Sequence, residues 1–176
     1  MMTAIIVYGS LLNPEQLHQK PHLFARAYPV FVKGYRRVFN QEPSWRKGDD
    51  KHRAVLNIME SDQDGFNGLL VKLQDGSDLH QLDERERGYN RMLISQSQLA
   101  SFPPISSMSK SEPIFIYVGK PEKQNDDILP NKSYLELCLR GAKHWGKAFK
   151  EQFLQTTYVG DLTLKAFLQK AEATGN

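Results

Sequence analysis

One cysteine, Cys138, is present in 176 residues. This excludes an internal disulfide and a thiolate zinc cluster, and it fits a reducing, cytoplasmic setting. No apolar run approaches the ~18 residues a membrane span requires, and Met1 to Ile6 is too short for a signal peptide. The G-x-S-x-G elbow of many hydrolases is missing, and so is a glycine-rich phosphate loop. The net charge is only +3, with lysines and arginines scattered rather than run together, so no nucleic-acid groove is indicated. His18 and His22 have i,i+4 spacing, but Pro21 breaks the helix needed to align them and no Glu follows His18. No metal site and no cofactor are expected.

What is present fits a globular domain. Hydrophobic residues make up 40% and charged residues 24%, enough for a packed core. No repeat or linker divides the chain, so residues 1–176 read as a single domain. Ile- and Val-rich Thr3 to Tyr8 predicts a buried strand. Asn13 followed by Pro14 marks a helix start, and Pro21 its stop. Strands are expected at Tyr28 to Phe39, Arg53 to Glu60, Phe66 to Leu73, Tyr89 to Leu99 and Pro113 to Gly119, the last a central one. Asp75-Gly76-Ser77 reads as a turn leading to a helix from Asp78 to Arg87, which Gly88 ends in the left-handed region. Ser133 and Glu136 form a capping box that opens the longest helix, Tyr134 to about Gln155. Tyr134, Cys138, Ala142, Trp145, Phe149 and Phe153 recur on it at helical spacing and face the core. Asp161 caps a last helix carrying Leu164 and Phe167. Asn40 to His52, Ser101 to Glu112 and Lys120 to Asn131 are long polar loops of the kind that bind ligands or close over them. The fold class is α+β, with a largely antiparallel, curled sheet and helices around it.

Two stretches carry chemistry. The first is Leu79 to Met92, "LHQLDERERGYNRM". At about 100° per residue, Leu79 and Leu82 define a buried stripe about 60° wide, and Glu86 falls between them. Asp83 lies about 40° outside that stripe and Glu84 points to solvent. Glu86 is therefore the carboxylate directed inward, near the negative end of its helix. Burial and the helix dipole both raise its pKa toward the range useful for a general base and acid. The competing reading is a buried ion pair with Arg91 or Arg53. The second stretch is Tyr8-Gly9-Ser10-Leu11. A turn at the end of a buried strand can aim backbone N–H groups into a pocket, where they bind a carboxylate or a developing oxyanion. Gly9 allows close approach and a φ that other residues resist.

Together the two motifs resemble those of the γ-glutamylcyclotransferase-like superfamily, which includes AIG2-like and ChaC-type proteins. "YGSL" is similar to its signature loop. Leu82-Asp83-x-x-Glu86-x-Gly88-Tyr89-x-Arg91 is similar to the motif that carries its essential glutamate. "VKGYRRVF" (32–39), "FNGLLVKL" (66–73), "IYVG" (116–119) and "SYLELCLRGAKHWG" (133–146) follow in consistent order. The resemblance implies a small mixed β-barrel with flanking helices and a pocket at the loop. It implies release of 5-oxoproline from a γ-glutamyl amide, such as glutathione, with Glu86 moving the protons. Tyr8, Gly9, Ser10 and Leu11 would hold the γ-glutamyl group, with Tyr89 and Tyr117 as further pocket residues. The partner implied is a small γ-glutamyl molecule, and the protein is expected as a monomer or homodimer. The chain departs from ChaC-like enzymes in having Leu12-Asn13-Pro14 where they carry an aromatic, and in its short stretch after Glu86.

Ser10 as a hydrolase nucleophile lacks an obvious histidine partner. Cys138 and Trp145 read as core, and Trp45 as a rim or lid residue. A non-catalytic module that binds an acidic small molecule in the same pocket is the main alternative to an enzyme.

Overall fold

A continuous apolar run makes β1 (Thr3–Val7) a strand buried at every residue, which requires neighbours on both sides. The computed structural model describes residues 3–18, 26–45, 48–73, 78–100 and 112–175. After β1 come a 3-10 turn (Ser10–Leu12), α1 (Pro14–His18), β2 (Arg26–Gln41), β3 (His52–Leu73) and α2 (Asp78–Arg85). Then follow β4 (Tyr89–Ile94), β5 (Leu99–Ala100), β6 (Ile114–Gly119), β7 (Leu129–Pro130), α3 (Lys132–His144) and α4 (Lys147–Gln155). The last elements are β8 (Thr157–Val159), β9 (Leu162–Thr163) and α5 (Leu164–Ala173). The strands form one sheet in the order β4-β6-β1-β3-β2-β8-β9, with β5 added to β2 and β7 to β3. The pairs β1–β6, β2–β8 and β3–β7 are parallel and the others antiparallel. The fold is α+β with a mixed, largely antiparallel sheet, as expected.

The long β2–β3 ribbon gives the sheet its barrel-like curl. The C-terminal end of β3 pairs with β1 through Thr3↔Leu73 to Val7↔Leu69. Gly68 lets β1 approach, since a Cβ there would lie 2.7 Å from the Val7 carbonyl oxygen. The other end of the ribbon meets the ends of β4 and β6 through side chains rather than a ladder. Asn57 Oδ1 accepts the Gly119 N–H at 2.7 Å, and Gln41 Nε2 donates to the Gly88 carbonyl at 2.7 Å. The sheet curls but is not closed by backbone pairing. Among the described residues, no helix is long and apolar enough to cross a membrane.

Several elements differ from the sequence reading. Arg53 to Glu60 and Phe66 to Leu73 belong to one 22-residue strand. Its partner β2 runs straight past, and the polar stretch between becomes an irregularity opposite Gly34 (φ 92°) where the register shifts. Tyr89 to Leu99 divides into β4 and β5 around a 3-10 turn at Gln96–Gln98. The long C-terminal helix is two helices, broken at Gly146 (φ 114°). The Trp145 Nε1–H turns back to donate to the Leu12 carbonyl at 2.9 Å. Asn131, not Ser133, caps α3 by accepting the Tyr134 N–H at 3.0 Å. Thr163, not Asp161, caps α5 through the Ala166 N–H at 3.1 Å. The core positions of the long-helix reading hold: Tyr134, Cys138, Ala142, Phe149 and Phe153 are buried, and Trp145 is half-buried. Asn13 starts α1 as expected, its Oδ1 accepting the Glu15 N–H at 3.0 Å. The readings of Pro21, of Asp75-Gly76-Ser77 and of Ser101 to Ser111 as a lid lie outside the described residues.

Candidate active site

Beyond Val7 the chain leaves the sheet. Tyr8 is buried, and its Oη–H donates to the Tyr117 carbonyl at 2.6 Å, tying the loop to β6. Gly9 and Ser10 lead into the 3-10 turn, where the Leu12 N–H donates to the Gly9 carbonyl at 3.0 Å and the Asn13 N–H to the Ser10 carbonyl at 3.1 Å. The first N–H groups of such a turn have no partner within it. Leu11 and Leu12 anchor the turn in the core while Ser10 stays half-buried. Of the two reasons expected for Gly9, close approach applies, although to Tyr134 rather than to a ligand. Its φ is −130°, outside the left-handed region. A Cβ there, however, would lie 2.5 Å from Tyr134 Oη. The requirement is space.

Across the cavity, α2 ends at Arg85 and Glu86 is the first residue beyond it. Glu86 keeps its inward direction because the turn continues: its N–H donates to the Leu82 carbonyl at 2.8 Å, and Leu82 is buried. The Glu86 side chain retains 23% exposure and lines the cleft. Loss of water around it raises its pKa, and the neighbouring Arg85 guanidinium opposes the rise. Arg85 Nε stands 3.5 Å from Oε1, long for a charge-assisted hydrogen bond. The expected rivals for an ion pair are engaged elsewhere: Arg91 with Asp83 at 2.9 Å, and Arg53 with Glu42 at 2.6 Å. Gly88 is not in the left-handed region, since among the described glycines only Gly34, Gly146, Gly160 and Gly175 have positive φ. A Cβ at Gly88 would instead lie 2.7 Å from Ser44 Oγ, so close approach again explains the glycine.

Tyrosines form the wall between loop and glutamate. Leu56 on β3 has a backbone edge facing the cleft. Its carbonyl accepts the Tyr89 Oη–H at 2.6 Å, and its N–H donates to Tyr134 Oη at 3.4 Å. Burial pushes the phenols of Tyr8, Tyr89 and Tyr134 well above their ordinary value, so all three stay protonated. Tyr117 is also raised, by burial and by the Asp83 carboxylate, which accepts its Oη–H at 2.9 Å.

Tyr8, Gly9, Ser10, Leu11, Glu86, Tyr89 and Tyr117 all line a single cleft of about 500 Å³. Leu56, Arg85 and Tyr134 share it, and the sequence reading did not nominate them for a site. The helical spacing that puts Tyr134 in the core is correct for its ring and silent about its hydroxyl. Trp45 stands at the rim as anticipated, 63% exposed, with its Nε1–H on the Arg85 carbonyl at 2.8 Å and the Arg87 guanidinium 3.5 Å from its ring centre. The arrangement offers one desolvated carboxylate, the Tyr8–Leu11 loop in the same cleft, and protonated phenols, of which Tyr8, Tyr89 and Tyr117 donate to carbonyl or carboxylate acceptors.

Solved structures with this fold include one described as a gamma-glutamyl cyclotransferase (18% identity, TM-score 0.64, covering 97% of this chain and 99% of that one). Another is a yeast gamma-glutamyl cyclotransferase described as specific to glutathione (14% identity, TM-score 0.58, 100% of both chains). YkqA from Bacillus subtilis also matches (18% identity, TM-score 0.63), over 85% of this chain but only 52% of that protein. At such identities the likeness is one of fold. No curated protein matches in sequence. The family model described as gamma-glutamyl cyclotransferase, AIG2-like, matches residues 5–136, a span that holds both Tyr8–Leu11 and Glu86. The chain belongs to the AIG2-like γ-glutamyl cyclotransferase family.

Proposed function

We propose that this chain is a γ-glutamylcyclotransferase that cleaves a γ-glutamyl amide, in glutathione or another γ-glutamyl peptide or amine, and releases 5-oxoproline. The observation that carries the reading is Glu86, a desolvated carboxylate of raised pKa that faces a cleft closed on the other side by the Tyr8–Leu11 loop. In the reaction the substrate's α-nitrogen attacks its own γ-carbonyl carbon. The new C–N bond closes a five-membered lactam, and the amide C–N bond to the leaving amine breaks. Glu86 takes a proton from the attacking ammonium and returns one to the leaving nitrogen, so a single carboxylate serves as base and then acid. Because the nucleophile is part of the substrate, no enzymic nucleophile is required, and holding the γ-glutamyl chain bent supplies much of the acceleration. Backbone N–H groups of the loop hold the α-carboxylate or the developing oxyanion. The yeast relative's specificity makes glutathione the first substrate to try. The lone, buried cysteine fits a reducing cytoplasm.

The contact between Arg85 and Glu86 favours a second reading, in which the pocket binds an acidic small molecule without turning it over. A panel of glutathione, γ-glutamyl amino acids and γ-glutamyl amines, assayed for 5-oxoproline, separates the two. The enzyme reading expects product from at least one compound, lost in Glu86→Gln with the fold intact. Binding without product from any member would leave the second reading standing and overturn the first.

A further inference from the structure

The β1–β3 ladder stops at Val7↔Leu69, although in the same register Tyr8 would face Gly68 and Gly9 would face Asn67. What stands in the way is Arg37, a fully buried side chain from β2. Its Nη1 donates to the Tyr8 carbonyl at 3.2 Å and to the Asn67 carbonyl at 2.5 Å, bridging the oxygens where the ladder would continue. The rest of the guanidinium is held equally firmly. Nε donates to Thr157 Oγ1 at 2.7 Å, and Nη2 donates to Asn67 Oδ1 at 2.7 Å and to Thr156 Oγ1 at 3.1 Å. Asn67 is itself fixed to α4 through the Phe149 carbonyl at 2.9 Å, and the Phe153 ring centre lies 4.1 Å from the guanidinium carbon. Every one of these acceptors is a neutral oxygen. A buried cation satisfied this way costs much desolvation energy, and a hydrophobic residue would serve stability as well or better. That cost calls for a role other than stability.

In a trans peptide the C=O and N–H point in opposite directions. With the Tyr8 carbonyl drawn back to Arg37, the Gly9 N–H faces away from it, and it has no acceptor among the described residues. We propose that Arg37 is a positioning residue that ends the β1–β3 ladder at Val7 and holds the Tyr8–Gly9 peptide with its N–H turned toward the cleft. Its catalytic consequence rests on the γ-glutamylcyclotransferase reading, in which the loop amides bind substrate; the peptide orientation does not depend on that reading. Without the guanidinium the Gly9 N–H is free to take the Asn67 carbonyl and extend the ladder.

The test uses Arg37→Met and Arg37→Lys, with Thr157→Val, which removes only the Nε acceptor, in case the first does not fold. Amide hydrogen exchange at Gly9 is expected to be fast in the wild type and slowed at least about tenfold in a folded Arg37→Met, as the amide gains a backbone acceptor. With an active γ-glutamyl substrate, kcat/KM is expected to fall about tenfold or more in Arg37→Met. Arg37→Lys should recover part of that loss, because the charge remains while the planar fork does not. If Arg37→Met does not fold, Thr157→Val decides, with smaller shifts in the same directions expected. Unchanged Gly9 exchange in a folded variant overturns the proposal. An inactive wild type with slowed Gly9 exchange in Arg37→Met would instead refute the enzyme reading and uphold the role of Arg37.

Discussion

The two sides of the cleft are held by opposite means. The Tyr8–Leu11 loop is fixed from within, by a buried guanidinium, buried leucines and a phenol bonded to β6. The Glu86–Gly88 turn has one buried tether, from Gln41 Nε2 to the Gly88 carbonyl, and is otherwise fixed from the surface, where exposed Trp45 bonds the Arg85 carbonyl and the Arg87 guanidinium donates to the Ser44 carbonyl at 3.2 Å while stacking on the indole. Interior contacts resist water and salt; rim contacts are exposed to both. The side that would bind the invariant part of a substrate is therefore the rigid one. The side that would move protons is free to adjust by small amounts.

The largest break in this comparison should come from Glu86→Gln, which leaves both walls in place and removes the proton carrier. Turnover of an active γ-glutamyl substrate should fall by roughly 100-fold to 10,000-fold, measured as 5-oxoproline released, with the circular dichroism spectrum unchanged. Next is Gly9→Ala on the rigid side. Its Cβ must displace the Tyr134 hydroxyl, at a cost of about 1–3 kcal/mol in denaturant melts. Tyr134→Phe in the same chain should recover part of this, which a double-mutant cycle will measure. Trp45→Ala on the exposed side should change stability by less than about 0.5 kcal/mol while lowering kcat/KM a few-fold, and raised salt should partly mimic it in the wild type. If Trp45→Ala proves as damaging to the melt as Gly9→Ala, the distinction between the two sides fails.

The smallest effect concerns stability against pH. Loss of water holds the folded-state pKa of Glu86 above the ordinary carboxylate value of 4.5. As pH rises past 4.5 the unfolded chain gives up this proton first, so the folded state binds more protons and loses stability through the window up to its own pKa. Glu86→Gln lacks that loss. Its melting temperature should match the wild type below pH 4.5 and exceed it at pH 8, as scanning calorimetry at the two pH values will show.

Much of the site was legible in the chain because its signals are local. The apolar run ending in Tyr8-Gly9-Ser10 and the position of Glu86 between Leu79 and Leu82 needed only strand and helix periodicity. That the helix ends one residue before Glu86 did not matter, since Leu82 still fixes the direction. What was missed depends on partners distant in sequence. One continuous β3 exists because β2 is long enough to pair with both halves across a polar stretch that alone reads as a turn. The break at Gly146 accompanies a bond from Trp145 to Leu12, which no helical spacing reports. Arg37 sits next to Arg36, which pairs with Asp64 in the ordinary way. Alternation along a strand separates the two, but nothing local marks the inner one as lacking a carboxylate.

Leu56 carries one more consequence. Its N–H reaches Tyr134, whose hydroxyl limits the space at Gly9, and its carbonyl holds Tyr89, whose own N–H donates to the Glu86 carbonyl at 2.8 Å. Both sides of the cleft, loop and glutamate, are thus linked through a single residue of β3 in addition to their separate tethers. A shift of Leu56 would therefore reach the loop and the glutamate at once.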